Sequence, residues 1–393
     1  MAEIKGLSDV ELSGKKVLMR VDYNVPLDGN RVTDDTRLRA TLASLERVLT
    51  AGASLILMSH LGRPEAGRFD EALSMKPVAE RLSSLLNKEV LLVDNWKTGV
   101  NLNPGEVVML ENIRFESGET ENDEQLAKQL AALCDVFVND AFATAHRAQA
   151  STHGVARFAK TACAGPLLKA EIDALAKAFK DPASPMVAIV GGSKVSTKLT
   201  VLESLMDKID QLIIGGGIAN TFLKAKGYNI GNSLCEDELI SAAKNLFSLA
   251  EKQGKQIPLP IDVVCAKEFS NDAKAIVRMI EDVKDDDLIL DVGPQTSALY
   301  AGFLKKASTI VWNGPLGVFE FDQFGEGTQT LAETIAASKA FSVAGGGDTL
   351  AAISKYNVAD KISYISTGGG AFLEFLEGKT LPAIHILEKT EPH

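Results

Sequence analysis

The sequence predicts an α/β protein: two doubly wound parallel-sheet domains separated by a cleft, with a hinge between them. Three observations predict it. Short apolar runs without polar alternation recur along the chain, as expected of strands covered on both faces. Amphipathic helical stretches stand between them, which is the connection that parallel strands need. The 393 residues exceed what one ordinary hydrophobic core covers.

In the first half the candidate strands are Val17–Val21, Leu55–Met58, Val90–Val93, Val107–Leu110 and Val136–Val138. In the second half they are Val187–Val190, Leu212–Ile214, Leu288–Leu290, Thr309–Trp312, Phe341–Ala344 and Ser363–Ile365. Helical patterns cover Asp34–Leu49, Asp123–Leu133, Ser196–Met206 and Asp237–Gln253. A long helical pattern from Pro166 to Lys180 runs into Asp181-Pro182-Ala183-Ser184-Pro185, the best candidate boundary.

Composition narrows the class. Hydrophobic residues make up 46% and charged residues 24%, the balance of a globular enzyme. A net charge of −11 argues against nucleic acid or an anionic membrane as partner. No run approaches the roughly 20 apolar residues that span a bilayer. The first residues, Met1–Leu7, lack the layout of an export signal, so the expected location is the cytoplasm. Cys134, Cys163, Cys235 and Cys265 lie far apart and read as free thiols.

Arginine and glycine are distributed unequally. Of 12 arginines, 11 fall at or before Arg157; of 32 glycines, 21 fall at or after Gly191. Guanidinium forks grip phosphate and carboxylate, whereas glycine turns let backbone N–H groups approach a phosphate. The two halves are therefore expected to hold different anionic ligands.

In an open parallel sheet, ligands gather at the carboxyl ends of the strands. The early strands end in Arg20-Val21-Asp22-Tyr23-Asn24, in Ser59-His60-Leu61-Gly62-Arg63-Pro64, in Glu111-Asn112-Ile113-Arg114, and in Asn139-Asp140 with His146-Arg147 beyond. Arg37 opens the first helix. A lone arginine is more often a cap or a weak surface pair. Five arginines and a histidine at successive strand ends point instead to a small, highly charged ligand, with Asp22 and Asn24 accepting from its hydroxyls. His60, His146 and His153 have no metal-ligand spacing, and no nucleophile–base pair can be assigned.

In the second half, Gly191-Gly192-Ser193-Lys194-Val195-Ser196-Thr197-Lys198 follows a strand and enters a helix, without being a Walker motif. Lys194 and Lys198, four apart, are expected to share one helix face. Gly215-Gly216-Gly217 does not complete a dinucleotide fingerprint. Glycine turns also serve close helix–strand packing, and some of these are expected to do only that. Gly346-Gly347-Asp348-Thr349 adds a carboxylate at a helix start, suited to Mg²⁺ beside a polyphosphate. Trp312–Glu320 is too irregular for a helix and ends in an acid able to accept from ribose hydroxyls.

Together, Arg20–Pro26, Ser59–Pro64, Asp140–Phe142 with Thr144–Arg147, the Lys194/Lys198 segment, Trp312–Glu320, Gly346–Thr349 and Ser366-Thr367-Gly368-Gly369-Gly370 resemble phosphoglycerate kinase, most nearly its bacterial form. The match is collinear over nearly the whole chain. The resemblance implies a glycolytic enzyme moving a phosphoryl group between 1,3-bisphosphoglycerate and ADP, with Mg²⁺, giving 3-phosphoglycerate and ATP. It implies that Asp22, Asn24, Arg37, His60, Arg63, Arg114 and Arg147 bind the phosphoglycerate. Lys194, Lys198, Asn313, Glu320 and Gly346, Gly347, Asp348 and Thr349 would bind nucleotide, with Asp348 on the metal. Gly215, Gly216 and the Leu288–Leu290 strand would form the adenine pocket. Arg37, Lys194, Lys198, Gly369 and Gly370 would face the transferred group. The implied domains are 1–171 for phosphoglycerate, 172–369 for nucleotide, and 370–393 returning to the first, in a monomer. Ala143 stands where the family has glycine, which would be strained if that position needs a positive φ. Ile289 fills a place near the adenine that can be glycine.

Two rival readings remain at this level. A dehydrogenase using NAD is opposed by the broken fingerprint at Gly217–Asn220, and a two-lobed solute-binding protein by the expected lack of an export signal.

Overall fold

A computed structural model describes residues 4–180 and 182–389. Asp181 of the expected linker, and the expected terminal residues 1–3 and 390–393, lie outside the described residues. The chain divides into two compact units, one within Met1–Asp173 and Thr380–His393, the other within Ala174–Lys379.

The first unit is built on a six-stranded parallel sheet. Its strands are β1 (Lys16–Arg20), β4 (Ser54–Met58), β5 (Val90–Val93), β6 (Val107–Leu110), β7 (Val136–Asn139) and β8 (Ala162–Ala164), in the order β5-β6-β4-β1-β7-β8. A small hairpin, β2 (Leu27–Asp28) and β3 (Arg31–Val32), stands apart from it. Every residue of β4, β6 and β7 is buried, which is why these runs show no polar alternation. Helix α1 (Thr36–Thr50) buries Leu38, Thr41, Leu45 and Val48, a stripe at helical spacing, and packs on β4. Helix α2 (Lys76–Leu86) packs on β5. Asp123 caps α3 (Glu124–Ala131) by accepting from Leu126 N–H at 2.8 Å. A single π-helical turn, Ala150–Gly154, leads into α4 (Val155–Phe158). Helix α5 (Pro166–Phe179) carries the boundary between the units.

The second unit holds a five-stranded parallel sheet of β9 (Met186–Val190), β10 (Gln211–Ile214), β14 (Thr309–Asn313), β15 (Phe341–Gly345) and β16 (Tyr364–Ser366), ordered β10-β9-β14-β15-β16. Its helices are α6 (Leu199–Met206), α7 (Gly216–Ala225), α8 (Ile240–Lys252), α9 (Pro294–Lys306), α10 (Glu326–Ala337), α11 (Gly347–Lys355) and α12 (Gly370–Leu376). Trp312 and Tyr300 lie at the centre of its core. Beside it stands a three-stranded antiparallel sheet that the sequence reading did not foresee: β11 (Asp262–Ala266) flanked by β12 (Ile276–Met279) and β13 (Leu288–Val292). The predicted Leu288–Leu290 strand is thus antiparallel to its neighbour. The last helix, α13 (Pro382–Lys389), packs on the first unit, where Ala383 N–H donates to the Ala145 carbonyl at 3.1 Å.

Candidate functional site

Each unit carries one cluster, and the first is built at the carboxyl ends of β1, β4 and β6. Arg37, on the first turn of α1, donates to Asp22 at 2.5 Å. Asn24 Oδ1 accepts from Gly62 N–H at 2.9 Å, and Arg114 Nη1 donates to the Gly62 carbonyl at 2.6 Å. These bonds hold the loop after β1 against the loop after β4. His60 lies between them, nearly buried. Burial and then the charges of Arg20, Arg114, Arg37 and Arg147 lower its pKa to about 2, so the ring is neutral. Arg114 in turn is depressed, first by burial and then by Arg20, Arg147 and Arg63. The fold thus gathers Asp22, Asn24, Arg37, His60, Arg63, Arg114 and Arg147. Among the described residues, Arg63, Arg114 and Arg147 form no ion pair with a carboxylate, so their charge is available to an anion.

Beneath this basin is a layer that sequence reasoning did not assign. Arg20 is fully buried and touches His60, Ser151 and the Val21 carbonyl. Ser151, from the π-helical turn, bonds to buried Glu119. The only signal for Arg20 was its place at the end of a strand. Glu119 gave none, because it sits in an acidic run with Glu116, Glu121, Asp123 and Glu124 that reads as surface.

Ala143 lies in a 3₁₀ turn, Phe142–Thr144, and among the described residues those with positive φ other than glycine are Asn87, Asn122 and Asn357. The left-handed strain considered for Ala143 is therefore absent.

The second cluster surrounds a cavity of about 560 Å³ lined by β13, the Pro315–Val318 loop and the start of α7. Leu288, Ile289, Leu290 and Leu316 make it apolar on one side, while Gly216, Glu320 and Asp348 lie on its wall. Next to it Lys198 donates to Asn313 Oδ1. Asn313 Nδ2 donates to the Gly345 carbonyl at 2.7 Å, and Gly314 N–H donates to Thr349 Oγ1 at 2.8 Å. Burial depresses the Lys198 pKa, opposed by the charges of Asp348 and Glu377. Among the described residues no three His, Cys, Asp or Glu side chains group to hold a metal. The exposed Asp348 fits Mg²⁺ as a single oxygen ligand, with phosphates and water supplying the rest.

One expectation is corrected here. Lys194 and Lys198 do not share a helix face, because α6 begins at Leu199 and Lys198 is its N-cap residue. Ser196 is tied to Glu236 through both its N–H (2.9 Å) and its hydroxyl (2.6 Å), which holds the segment in a turn. Lys194 is exposed and interacts with Glu236.

The glycines separate into two kinds. A Cβ on Gly191, Gly215 or Gly217 would meet backbone at 1.9, 2.5 and 2.1 Å, so these permit close packing of chain on chain. Gly347 and Gly369 face open space. Gly347 begins α11, and Gly369 precedes Gly370 at the start of α12, so both helix N-termini are bare. Helix α12 packs on α6, the helix that Lys198 caps, and neither Gly369 nor Gly370 is among the residues lining the cavity.

An arginine basin in one α/β unit, and a lysine with the bare N-terminus of α11 beside an apolar cavity in the other, are equipment for phosphate-bearing ligands, as in kinases. A family model described as phosphoglycerate kinase matches residues 7–379. The chain is 54% identical to a phosphoglycerate kinase structure from Coxiella burnetii, with a TM-score of 0.96, covering 98% of this chain and 99% of that one. It is 32% identical to a phosphoglycerate kinase from Pyrococcus horikoshii OT3, with a TM-score of 0.79 and 98% of each chain covered. The chain belongs to the phosphoglycerate kinase family and is an enzyme, a phosphotransferase of glycolysis. Among the described residues no helix is long and apolar enough to cross a membrane.

Proposed function

We propose that this enzyme reversibly transfers a phosphoryl group from 1,3-bisphospho-D-glycerate to ADP, giving 3-phospho-D-glycerate and ATP. The observation that carries the reading is the convergence of Arg20, Arg37, Arg114 and Arg147 on one neutral histidine. That arrangement suits a small ligand bearing phosphate and carboxylate. The second unit's cavity has the apolar wall a purine ring needs, with Lys198 and Asp348 beside it.

In the forward step an ADP phosphate oxygen forms the new P–O bond as the acyl phosphate P–O bond breaks. The acceptor is already ionised, so no proton has to be removed. His60, with its pKa lowered to about 2, would be a poor base in any case. Arg37, Lys194 and Lys198, with the N–H groups at Gly369 and Gly370, neutralise charge spread over a loose transition state. Asp348 would hold Mg²⁺, which would supply positive charge to offset that of the phosphates. Transfer requires the reacting atoms about 3–3.5 Å apart with water excluded, so the reading includes closure of a phosphoglycerate domain (1–171) on a nucleotide domain (172–369). Of the 370–393 segment, α12 belongs to the second unit and the chain from Thr380 to the first. The enzyme is read as a cytoplasmic monomer.

The test is ATP consumption with 3-phosphoglycerate and Mg²⁺, coupled to NADH oxidation by a dehydrogenase that reduces the acyl phosphate. No 3-phosphoglycerate-dependent oxidation would sink the reading.

A further inference from the structure

Arg20 has N–H donors and no acceptor. Its Nε donates to Ser151 Oγ at 3.0 Å and its Nη1 to the Val21 carbonyl. Its Nη2 lies 3.1 Å from Nδ1 of His60. A guanidinium cannot accept, so Nδ1 must present a lone pair, and the hydrogen of a neutral ring must then be on Nε2. Arg20 itself is held from behind. Glu119 Oε2 accepts the Ser151 N–H at 2.9 Å, and its Oε1 lies 2.5 Å from Ser151 Oγ. The serine hydroxyl hydrogen goes to Glu119, and the serine lone pair is turned to Arg20. All three residues are buried.

We propose that Glu119, Ser151 and Arg20 are positioning residues that fix His60 as the Nε2–H tautomer, so that the ring serves the phosphoglycerate site as a hydrogen-bond donor. The donor role rests on the substrate reading above; the tautomer does not. The charged groups acting on the ring are Arg20 from β1, Arg37 from α1, and Arg114 and Arg147 from the loops after β6 and β7. Asp22 and Glu119 are the acids acting on Arg20. A second proton on the ring would face four cations and lose the Arg20 bond. The tautomer is therefore expected to persist wherever the fold does.

The experiment is two-bond ¹H–¹⁵N correlation on the full chain labelled with ¹⁵N-histidine, with His60 assigned by His60→Gln. The expected result is a pyridine-type Nδ1 and a pyrrole-type Nε2, unchanged between about pH 5 and 8. A pyrrole-type Nδ1, or an imidazolium pattern appearing in that range, would overturn the proposal without any further variant. Arg20→Lys keeps the buried charge and should give a mixture of tautomers; an unchanged pattern would remove Arg20 from the role. Ser151→Ala should shift part of the population to Nδ1–H, and Ser151→Thr, which keeps the hydroxyl, should restore it. No shift in Ser151→Ala would remove Ser151 and Glu119. Adding 3-phosphoglycerate to the unaltered enzyme should move the Nε2 signal. If it does not while the tautomer is as expected, the donor role and the substrate reading fail together and the tautomer assignment stands.

Discussion

Arg37 and Asp22 are bonded to each other at 2.5 Å. One is the cation assigned to the transferred group, and the other is the acceptor assigned to a substrate hydroxyl. The pair holds the first turn of α1 against the loop after β1, ahead of any ligand. On the proposed mechanism Arg37 would exchange part of this bond for a phosphate during transfer, and Lys198 would do the same with its bond to Asn313. Interactions gained only in the transition state show in kcat. Arg37→Ala and Lys198→Ala should each lower kcat more than they raise KM for either substrate. Steady-state kinetics check this, and a near-normal kcat in Lys198→Ala would remove that lysine from the mechanism.

Arg147 is exposed, and its side chain donates to its neighbour His146 at 3.1 Å rather than to an acid. Its replacement by alanine should cost little stability. Losing a charged partner costs about 1.5–3 kcal/mol, or roughly ten- to a hundredfold in affinity. Calorimetry should show that loss for 3-phosphoglycerate, with nucleotide affinity little changed.

His60 makes stability depend on pH. Its folded pKa is lowered to about 2, from an ordinary value of 6.5. Below pH 6.5 the unfolded chain takes up a proton at this ring and the folded chain does not, so the contribution is full above 6.5 and falls as the pH drops. The slope approaches 1.4 kcal/mol per pH unit, or about 2 kcal/mol between roughly pH 7 and 5. Urea unfolding at the two pH values should show His60→Gln losing less stability than the unaltered chain by about that amount.

The two glycines before Asp348 should respond in opposite ways to alanine. Gly346 has φ +100°, and a Cβ there would lie 2.8 Å from Asn313 Nδ2. Gly346→Ala should destabilise by about 1–3 kcal/mol. Gly347 has open space around it. Gly347→Ala should keep the melting temperature and weaken nucleotide binding, because the added methyl stands at the bare start of α11. Differential scanning calorimetry with nucleotide titration separates the two.

Asp348→Asn keeps the shape and removes the charge. The Mg²⁺ concentration for half-maximal rate should rise, while 3-phosphoglycerate affinity is unchanged. A Mg²⁺ titration of the rate that overlays that of the unaltered enzyme would exclude Asp348 as a metal ligand.

Strands such as β4 and β9 were readable because every side chain in them is buried, leaving an unbroken apolar run. Strand β12 was not, because Val277 and Met279 point to solvent and Arg278 interrupts four residues too short to establish a period. The arginine basin could be read from strand ends, since parallel topology alone brings those ends together. The Lys194–Lys198 geometry could not, because it depends on Glu236, forty positions away, holding Ser196. Glu119 was invisible for the same reason: burial is a tertiary fact, and an acid in an acidic run does not announce it.

The first unit is discontinuous, with α13 contributing Ala383, Ile384 and Leu387 to its buried surface. The second unit is one uninterrupted stretch. During synthesis the first unit is therefore begun before the second and completed after it. It waits for α13, which is made only after the whole second unit. The nascent chain should mature out of order, with the later-made unit gaining protease resistance ahead of the earlier one.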